Sequence, residues 1–222
     1  MTHRMILQQK EQLTPDTHLY AFSKPKNFDF KAGQATEMRL MKDGWKDKGR
    51  KFTFASLPEA EMLEFVIKSY PDHDGVTEQM AKMQPGGEVE IEEPLGAIVD
   101  NGPGVFIAAG AGITPFIPIL EKHDAQGKMD CTLIFTNKTP EDIILREKWE
   151  AMVGLNTIFS VTEEDGEGVI HAVVDEAFLK KHIDQINGTF YLCGPGGFVD
   201  DVRDALKRMG ADADKIITED GW

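Results

Sequence analysis

The chain has 222 residues, of which 41% are hydrophobic and 28% charged, a composition that predicts a soluble globular protein with two modest domains or one large one. Its two cysteines are too few for a disulfide framework, a thiolate zinc site or an iron–sulfur cluster, so any redox chemistry must use a bound organic cofactor. The net charge of −14 argues against nucleic acid as a partner, because the phosphate backbone would be repelled.

Membrane and metal signals are both weak. No apolar run approaches the length of a membrane span, and the first residues lack the apolar core of a signal peptide. We therefore expect no membrane partner and a cytoplasmic location. The six histidines are scattered without the spacing of metal ligands, so we expect no metal site.

Residues 1–98 have short apolar stretches separated by Pro and Gly, a pattern typical of an antiparallel barrel or sandwich. The predicted strands are Arg4–Leu13, His18–Phe22, Gln34–Leu40, Lys51–Ser56, Met62–Lys68 and Glu88–Glu92. One short helix is predicted at about Thr77–Met83. A cluster of Pro and Gly from Pro94 to Gly104 predicts a domain boundary, which we place between residues 98 and 99.

From Val105 to the end, strands alternate with helices, which predicts a parallel sheet covered on both faces. The predicted strands are Val105–Ala109, Cys131–Thr136, Thr157–Val161, Phe190–Cys193 and Lys215–Thr218. The predicted helices are Pro115–His123, Glu141–Met152, Asp175–His182 and Gly197–Met209, with a hairpin-like segment at Gly166–Val173.

A glycine turn follows the first of these strands. Gly110 and Gly112 allow a tight turn and a close ligand approach, while Thr114 and Pro115 predict an N-cap and a first helical residue. Unpaired N–H groups at such a helix start suit a phosphate. The same turn also occurs in α/β proteins that bind no ligand, so this stretch alone leaves both alternatives open.

Two further turns are predicted at the same edge of the sheet. They are Thr136–Asp142 and Cys193–Phe198, each following a buried strand. Ligands of open α/β sheets bind beyond the carboxyl ends of the strands. Three such turns together favour a nucleotide site.

Four motifs now give a family resemblance that spans nearly the whole chain. They are Arg50-Lys-Phe-Thr-Phe-Ala-Ser56, Gly75-Val-Thr77, Gly110-Ala-Gly-Ile-Thr-Pro115 and Cys193-Gly-Pro-Gly-Gly-Phe198. In this order they resemble the ferredoxin–NADP reductase superfamily of flavoenzymes. The resemblance implies a six-stranded antiparallel flavin-binding β-barrel over residues 1–98 and a parallel-sheet, Rossmann-like nicotinamide-binding domain over residues 99–222.

The resemblance implies an FAD site in the first half. Arg50 offers a planar cation for the pyrophosphate, Phe52 an aromatic wall for the flavin ring, and Thr53 a hydroxyl near the reactive flavin edge. Phe52 stands where the family has Tyr, so one phenolic donor is missing. The remaining residues implied are Lys51, Ile67, Lys68, Tyr70, Gly75, Val76 and Thr77.

A nicotinamide site is implied in the second half. We expect a positioning role for Cys193, because no cation beside it in sequence would stabilise a thiolate. The resemblance also places Trp222 over the flavin face and Glu219 near the flavin edge. The residues implied to hold the dinucleotide are Gly110, Gly112, Ile113, Thr114, Pro115, Asn137, Lys138, Glu163, Cys193, Gly194, Pro195 and Phe198.

Coenzyme choice depends on the loop after the third strand of this half. In NADP-using relatives an Arg stands there, whereas this chain has Glu163 within three consecutive acids. Acids repel a 2′-phosphate, and a carboxylate accepts hydrogen bonds from ribose hydroxyls, so we predict NADH. Lys138 keeps NADPH possible.

The sequence therefore predicts an FAD-dependent NAD(P)H reductase that passes electrons to an unidentified acceptor. Ferredoxin, flavodoxin, an oxygenase component and a small molecule such as a quinone all remain open. Two alternatives also remain: a free-flavin reductase, and an electron-transfer or NAD-sensing subunit of a larger complex.

Overall fold

The computed structural model describes residues 1–70 and 73–219. The chain divides into two compact units. The first comprises Met1–Asp100 with Thr114–Ile119, and the second comprises Asn101–Ile113 with the residues from Leu120 onward. A single division at residues 98 and 99 stays a prediction. In the described ranges, no helix is long and apolar enough to cross a membrane.

The first unit is a six-stranded antiparallel sheet with one helix, α1. Its elements are β1 (His3–Thr14), β2 (Thr17–Ser23), β3 (Ala35–Leu40), β4 (Arg50–Thr53), β5 (Met62–Lys68), α1 (Val76–Lys82) and β6 (Glu88–Ile91). The strand order is β4-β3-β6-β1-β2-β5. The predicted antiparallel fold is thus confirmed.

The predicted barrel does not close as a ladder, because β4 and β5 remain the two ends of the sheet. The chain leaves β4 after Thr53, earlier than the predicted end at Ser56. Two hydrogen bonds then join the seam: Ala55 donates its N–H to the Glu64 carbonyl at 2.7 Å, and the Glu64 N–H donates to Ser56 Oγ at 3.1 Å.

Aromatic side chains fill the core of this unit. Phe54 is fully buried, with its ring centroid 4.2 Å from that of Phe30 and 5.3 Å from that of Phe65. Val76 and Met80 of α1 belong to the same core cluster, which explains how so short a helix is held.

The second unit is a six-stranded parallel sheet, as predicted. Its strands are β7 (Val105–Ala109), β8 (Cys131–Asn137), β9 (Leu155–Val161), β10 (Ile170–His171), β11 (Phe190–Cys193) and β12 (Ile216–Thr218), in the order β10-β9-β8-β7-β11-β12. Its helices are α2 (Phe116–Ala125), of which the residues from Leu120 onward belong to this unit, α3 (Arg146–Ala151), α4 (Glu176–His182) and α5 (Gly196–Met209).

Two predicted elements of this unit differ. The predicted hairpin at Gly166–Val173 is instead a two-residue strand, β10, that pairs parallel to β9. The predicted helix Glu141–Met152 begins only at Arg146, because Leu145 adopts a left-handed φ of 56° that interrupts the helical hydrogen bonding.

Candidate functional site

The carboxyl edge of the parallel sheet, where β7, β8, β9, β11 and β12 end, carries most of the predicted nicotinamide residues. All these strands run in one direction, so the turns that follow them meet at this edge. The three predicted turns therefore lie together.

The glycine turn after β7 differs in detail from its prediction. A 3₁₀ helix spans Gly110–Ile113, and α2 begins at Phe116. Pro115 is therefore not the first residue of α2, and Thr114 is not its direct N-cap. Thr114 and Ile113 are both buried.

The turns after β7 and β11 pack backbone against backbone. A Cβ added at Gly112 would lie 2.3 Å from the Cys193 carbonyl oxygen, a distance that no side chain tolerates. Gly194 has a φ of 157°, and a Cβ there would lie 3.0 Å from both Ala109 Cβ and Phe198 Cδ1. Glycine is therefore required at both positions for this crossing to form.

The start of α5 is open. Its N-cap residue, Pro195, makes no side-chain capping hydrogen bond, and a Cβ added at Gly196 or Gly197 would meet nothing within 4 Å. The first N–H groups of a helix lack intrahelical partners, and the helix dipole makes this end positive. An unobstructed N-terminus on a 14-residue helix fits a dinucleotide pyrophosphate.

The Cys193 thiol lies at the end of β11 and stays protonated at neutral pH. Burial raises its pKa to about 12, and the Glu219 carboxylate adds to the effect. Leu192 pairs with Thr218, so Cys193 at the end of β11 and Glu219 directly after β12 lie at the same level of two neighbouring strands. A neutral thiol agrees with a positioning role and not with nucleophilic catalysis.

The ends of β8 and β9 are tied together beside these turns. Lys138 Nζ lies 2.9 Å from Glu163 Oε1, and this pairing raises the pKa of Lys138. The Glu163 N–H donates to the Lys138 carbonyl at 2.9 Å, and the Thr162 N–H donates to the Asn137 carbonyl at 3.2 Å. Glu163 and Lys138 thus meet, which their sequence separation did not reveal.

Asn137 supplies a test of whether the edge fits a ligand. The residue is only 8% exposed, yet its Nδ2 has no hydrogen-bond partner among the described residues. A buried amide left without a partner carries a large free-energy cost. A polar ligand at this edge would supply the missing acceptor.

In the first unit, β4 carries the predicted flavin motif on the end of the sheet. Arg50 and Phe52 share one face of the strand, and Lys51 and Thr53 share the other. Arg50 and Lys51 are exposed, whereas Phe52 is partly buried and packs against the core. A supported aromatic ring beside an exposed guanidinium fits a flavin dinucleotide in its donor chemistry.

The end of β5 and the residues that follow it place the predicted cofactor residues in different environments. Ile67 is buried in the core, and Lys68 Nζ is bound to Asp16 Oδ2 at 2.9 Å. These contacts engage both side chains within the protein, so the backbone groups of Ile67 and Lys68 are the better candidates for contacts with a cofactor. Tyr70 is 46% exposed, and its ring centroid lies 5.6 Å from that of His73.

The predicted phosphate turn of this unit lies at the start of α1. Gly75 is the N-cap in an extended conformation and receives no side-chain capping bond. Val76 points into the core, and Thr77 follows in the first turn. Trp222, the remaining predicted residue, lies outside the described residues.

Two domain families match the chain. The Oxidoreductase FAD-binding domain family matches residues 4–99, and the Oxidoreductase NAD-binding domain family matches residues 106–204. The chain belongs to the ferredoxin–NADP reductase superfamily. Members combine these two domains, so the protein is an FAD-dependent NAD(P)H oxidoreductase whose cofactors are FAD and a nicotinamide dinucleotide.

Individual similarities agree with this membership. The chain is 26% identical to NADH-cytochrome b5 reductase 2 of Mycosarcoma maydis, over 80% of this chain and 59% of that protein. It is 26% identical to the Flavohemoprotein of Bacillus subtilis, over 86% of this chain and 51% of that protein. The chain thus spans little more than half the length of these two relatives.

Among solved structures, a ferredoxin NADP+ reductase from Neisseria gonorrhoeae with bound FAD and NADP superposes with a TM-score of 0.88 at 22% identity. The match covers 100% of this chain and 99% of that one. At this identity the likeness shows the shared fold.

Proposed function

We propose that this protein oxidises NADH, passes the hydride to bound FAD, and delivers the electrons to a separate redox acceptor. The observation that carries the proposal is the crossing of the two glycine turns at the carboxyl edge. There the backbones of Gly112 and Cys193 meet beside the open start of α5, with a neutral thiol at the strand end. Bound FAD would supply the hydride-accepting chemistry, and the protein would supply orientation.

On the first unit, we assign the Arg50 guanidinium to the flavin pyrophosphate and the Phe52 ring to the flavin face. The Thr53 hydroxyl is assigned to the reactive flavin edge. The wider proposed set is Lys51, Ile67, Lys68, Tyr70, Gly75, Val76 and Thr77, with Ile67, Lys68 and Val76 acting through backbone groups because their side chains are committed elsewhere.

On the second unit, the open N-terminus of α5 is assigned to the dinucleotide pyrophosphate, and Asn137 Nδ2 to a polar group of the dinucleotide. Cys193 and Glu219 are assigned to the nicotinamide end, where the thiol orients the ring. The wider proposed set is Gly110, Gly112, Ile113, Thr114, Pro115, Lys138, Glu163, Gly194, Pro195, Phe198 and Trp222.

We propose NADH as the preferred coenzyme because of the paired Lys138 and Glu163. The lysine is the nearby cation that a 2′-phosphate would need, and Glu163 holds it at 2.9 Å. Glu163 retains a second carboxylate oxygen that can accept from ribose hydroxyls.

For the electron acceptor we propose only a set of chemical classes. A ferredoxin, a flavodoxin, an oxygenase component, a cytochrome of the kind named for the b5 reductase relative, and a small molecule such as a quinone are the candidates. Because the chain spans little more than half of two relatives, a role as the reductase part of a larger assembly is the second candidate.

The visible spectrum of the purified protein tests the proposal. We expect a yellow protein whose flavin absorbance bleaches on anaerobic addition of NADH, and more slowly with NADPH. A colourless protein that takes up no added FAD would contradict the function. Faster bleaching with NADPH would contradict the coenzyme choice. Flavin that equilibrates freely with solution would favour a free-flavin reductase, and inactivity toward dyes until a partner is added would favour the subunit.

A further inference from the structure

The β9–β10 loop, residues 162–169, follows β9 at the carboxyl edge and carries the Glu163 carboxylate. On one side it is bound to the end of β8. Lys138 contributes both its carbonyl oxygen and its ammonium group to that attachment. These contacts fix the first two residues of the loop.

On its other side the loop is bound by His171, the last residue of β10. His171 Nδ1 lies 2.9 Å from Asp165 Oδ1, and His171 Nε2 lies 3.2 Å from the Thr162 carbonyl oxygen. One ring thus spans the loop from its first residue to its fourth. This contact could not be predicted from the sequence, where His171 is one of six scattered histidines.

Both partners of the ring are acceptors. An ionised carboxylate and a backbone carbonyl have no proton to donate, and a neutral imidazole carries only one N–H. The two hydrogen bonds therefore form together only when both ring nitrogens are protonated. In the neutral ring, one nitrogen lone pair would face an oxygen.

The backbone of Ala172, which follows His171, is bound to the end of β9. The Ala172 N–H donates to the Val161 carbonyl at 3.0 Å, and Ser160 Oγ donates to the Ala172 carbonyl. Among the contacts of the described residues, the charged group at the ring is Asp165. Glu163 is paired with Lys138, and Arg146 is bound to Glu150 and to the Glu167 carbonyl.

We propose that His171 is a positioning residue that holds the β9–β10 loop in the shape in which Glu163 accepts hydrogen bonds from the ribose of the nucleotide. This rests on the proposed NADH function. Loss of the contacts made by the ring frees one side of the loop, so the adenosine half of the coenzyme binds more weakly. The chemical step is unaffected, because His171 touches no reacting atom.

The test measures the Kd of ADP-ribose by calorimetry. His171→Gln replaces two ring nitrogens by a single amide nitrogen, so we expect the Kd to rise about two- to fivefold, the size expected for an exposed contact. His171→Arg, which offers several donors, should retain a Kd near that of the wild-type protein.

A matched control is His3→Gln in the first unit, where His3 also pairs with a carboxylate, Glu93, at 3.3 Å. This variant should leave the Kd of ADP-ribose unchanged. With NADH as substrate, the KM should follow the Kd while kcat stays the same in His171→Gln.

The proposal is overturned if His171→Gln binds ADP-ribose as tightly as the wild-type protein, if His171→Arg loses as much affinity as His171→Gln, or if ADP-ribose shows no binding. ADP-ribose binding needs no flavin reduction. A protein whose flavin ignores NADH would therefore contradict the proposed function while the calorimetry still decides the role of His171.

Discussion

At the carboxyl edge of the second unit, two turns pack backbone against backbone and a helix start stands open, whereas on β4 of the first unit the candidate groups are side chains on the end of a sheet. Gly112 and Gly194 leave no room for alternatives, because a Cβ at either position would meet its neighbours. Arg50 and Lys51 are exposed. The site on the second unit therefore depends on the absence of side chains at its glycines, and the site on the first unit depends on the chemistry of its side chains. Substitutions at the two sites should have different effects.

The largest effect is expected from Gly112→Val. Its side chain would enter the space held by the Cys193 carbonyl, so the turns after β7 and β11 must separate. We expect a loss of about 2–3 kcal/mol of unfolding free energy, together with the loss of NADH binding. Denaturant unfolding followed by circular dichroism measures the first quantity. Gly188→Ala, where an added Cβ meets nothing within 4 Å, is the control and should unfold like the wild type.

Arg50→Ala should act on the cofactor and leave the fold intact, because Arg50 is exposed. Loss of one charge-assisted contact to a pyrophosphate should weaken FAD binding about tenfold or more. The ratio of flavin to protein absorbance after purification measures it. Arg4→Ala, which removes an exposed arginine that pairs with Glu88, should retain flavin. Full flavin content in Arg50→Ala would remove Arg50 from the proposed FAD site.

Cys193→Ser tests whether the thiol at the crossing orients the nicotinamide. We expect flavin reduction by NADH to slow about tenfold, since small misplacements of reacting groups cost rate, with a much smaller change in NADH affinity. Stopped-flow measurement separates the two quantities. Cys131→Ser removes the other, buried thiol and should leave the reduction rate near that of the wild type. Equal losses of rate and affinity would favour a purely structural role for Cys193.

Glu163→Gln should relax the choice of coenzyme. The variant frees Lys138 and removes a negative charge, so kcat/KM for NADPH should rise about fivefold relative to NADH. Steady-state kinetics with both coenzymes measure the ratio. The neighbouring acid offers a control in Glu164→Gln, which should change the ratio less. An unchanged ratio in Glu163→Gln would argue against the proposed role of the pair.

The smallest effect concerns the pH at which the Cys193 thiol ionises. Because the Glu219 charge adds to the elevation caused by burial, Glu219→Gln should lower the pKa of Cys193 from about 12. The wild-type rate of flavin reduction should be flat from pH about 7 to about 9, since the thiol stays protonated there. Thiolate absorbance in an ultraviolet titration, with Cys193→Ser as the blank, reports the shift. An unchanged titration would show that burial alone sets this pKa.

The contrast between the two sites also explains what the sequence could predict. Strand–glycine–helix patterns are local, so the parallel sheet, its carboxyl edge and the turns at Gly110 and Cys193 were predictable. Whether the barrel closes could not be predicted, because the length of the pairing between β4 and β3 depends on where residues of β3, elsewhere in the chain, stop pairing. The left-handed Leu145 that shortens α3 also has no local sequence signature.

Pairings between side chains were the feature of the sites that was hardest to predict from the sequence. Lys68 was predicted to serve the cofactor, yet its ammonium is bound by Asp16, 52 positions earlier in the chain. Lys138 and Glu163 were considered separately although they form one ion pair. Long side chains on different elements meet only once the sheet order is known, so spacing along the chain carries no record of such contacts.

The seam between β4 and β5 offers a way to observe cofactor occupancy on the first unit by itself. Glu64 turns its N–H toward Ser56, and the alternation of an antiparallel edge turns the N–H groups of Val66 and Lys68 in the same direction. In hydrogen–deuterium exchange these edge amides should gain protection when FAD is added. The degree of protection would then report the fraction of molecules that carry flavin, independently of nicotinamide binding or oxidation.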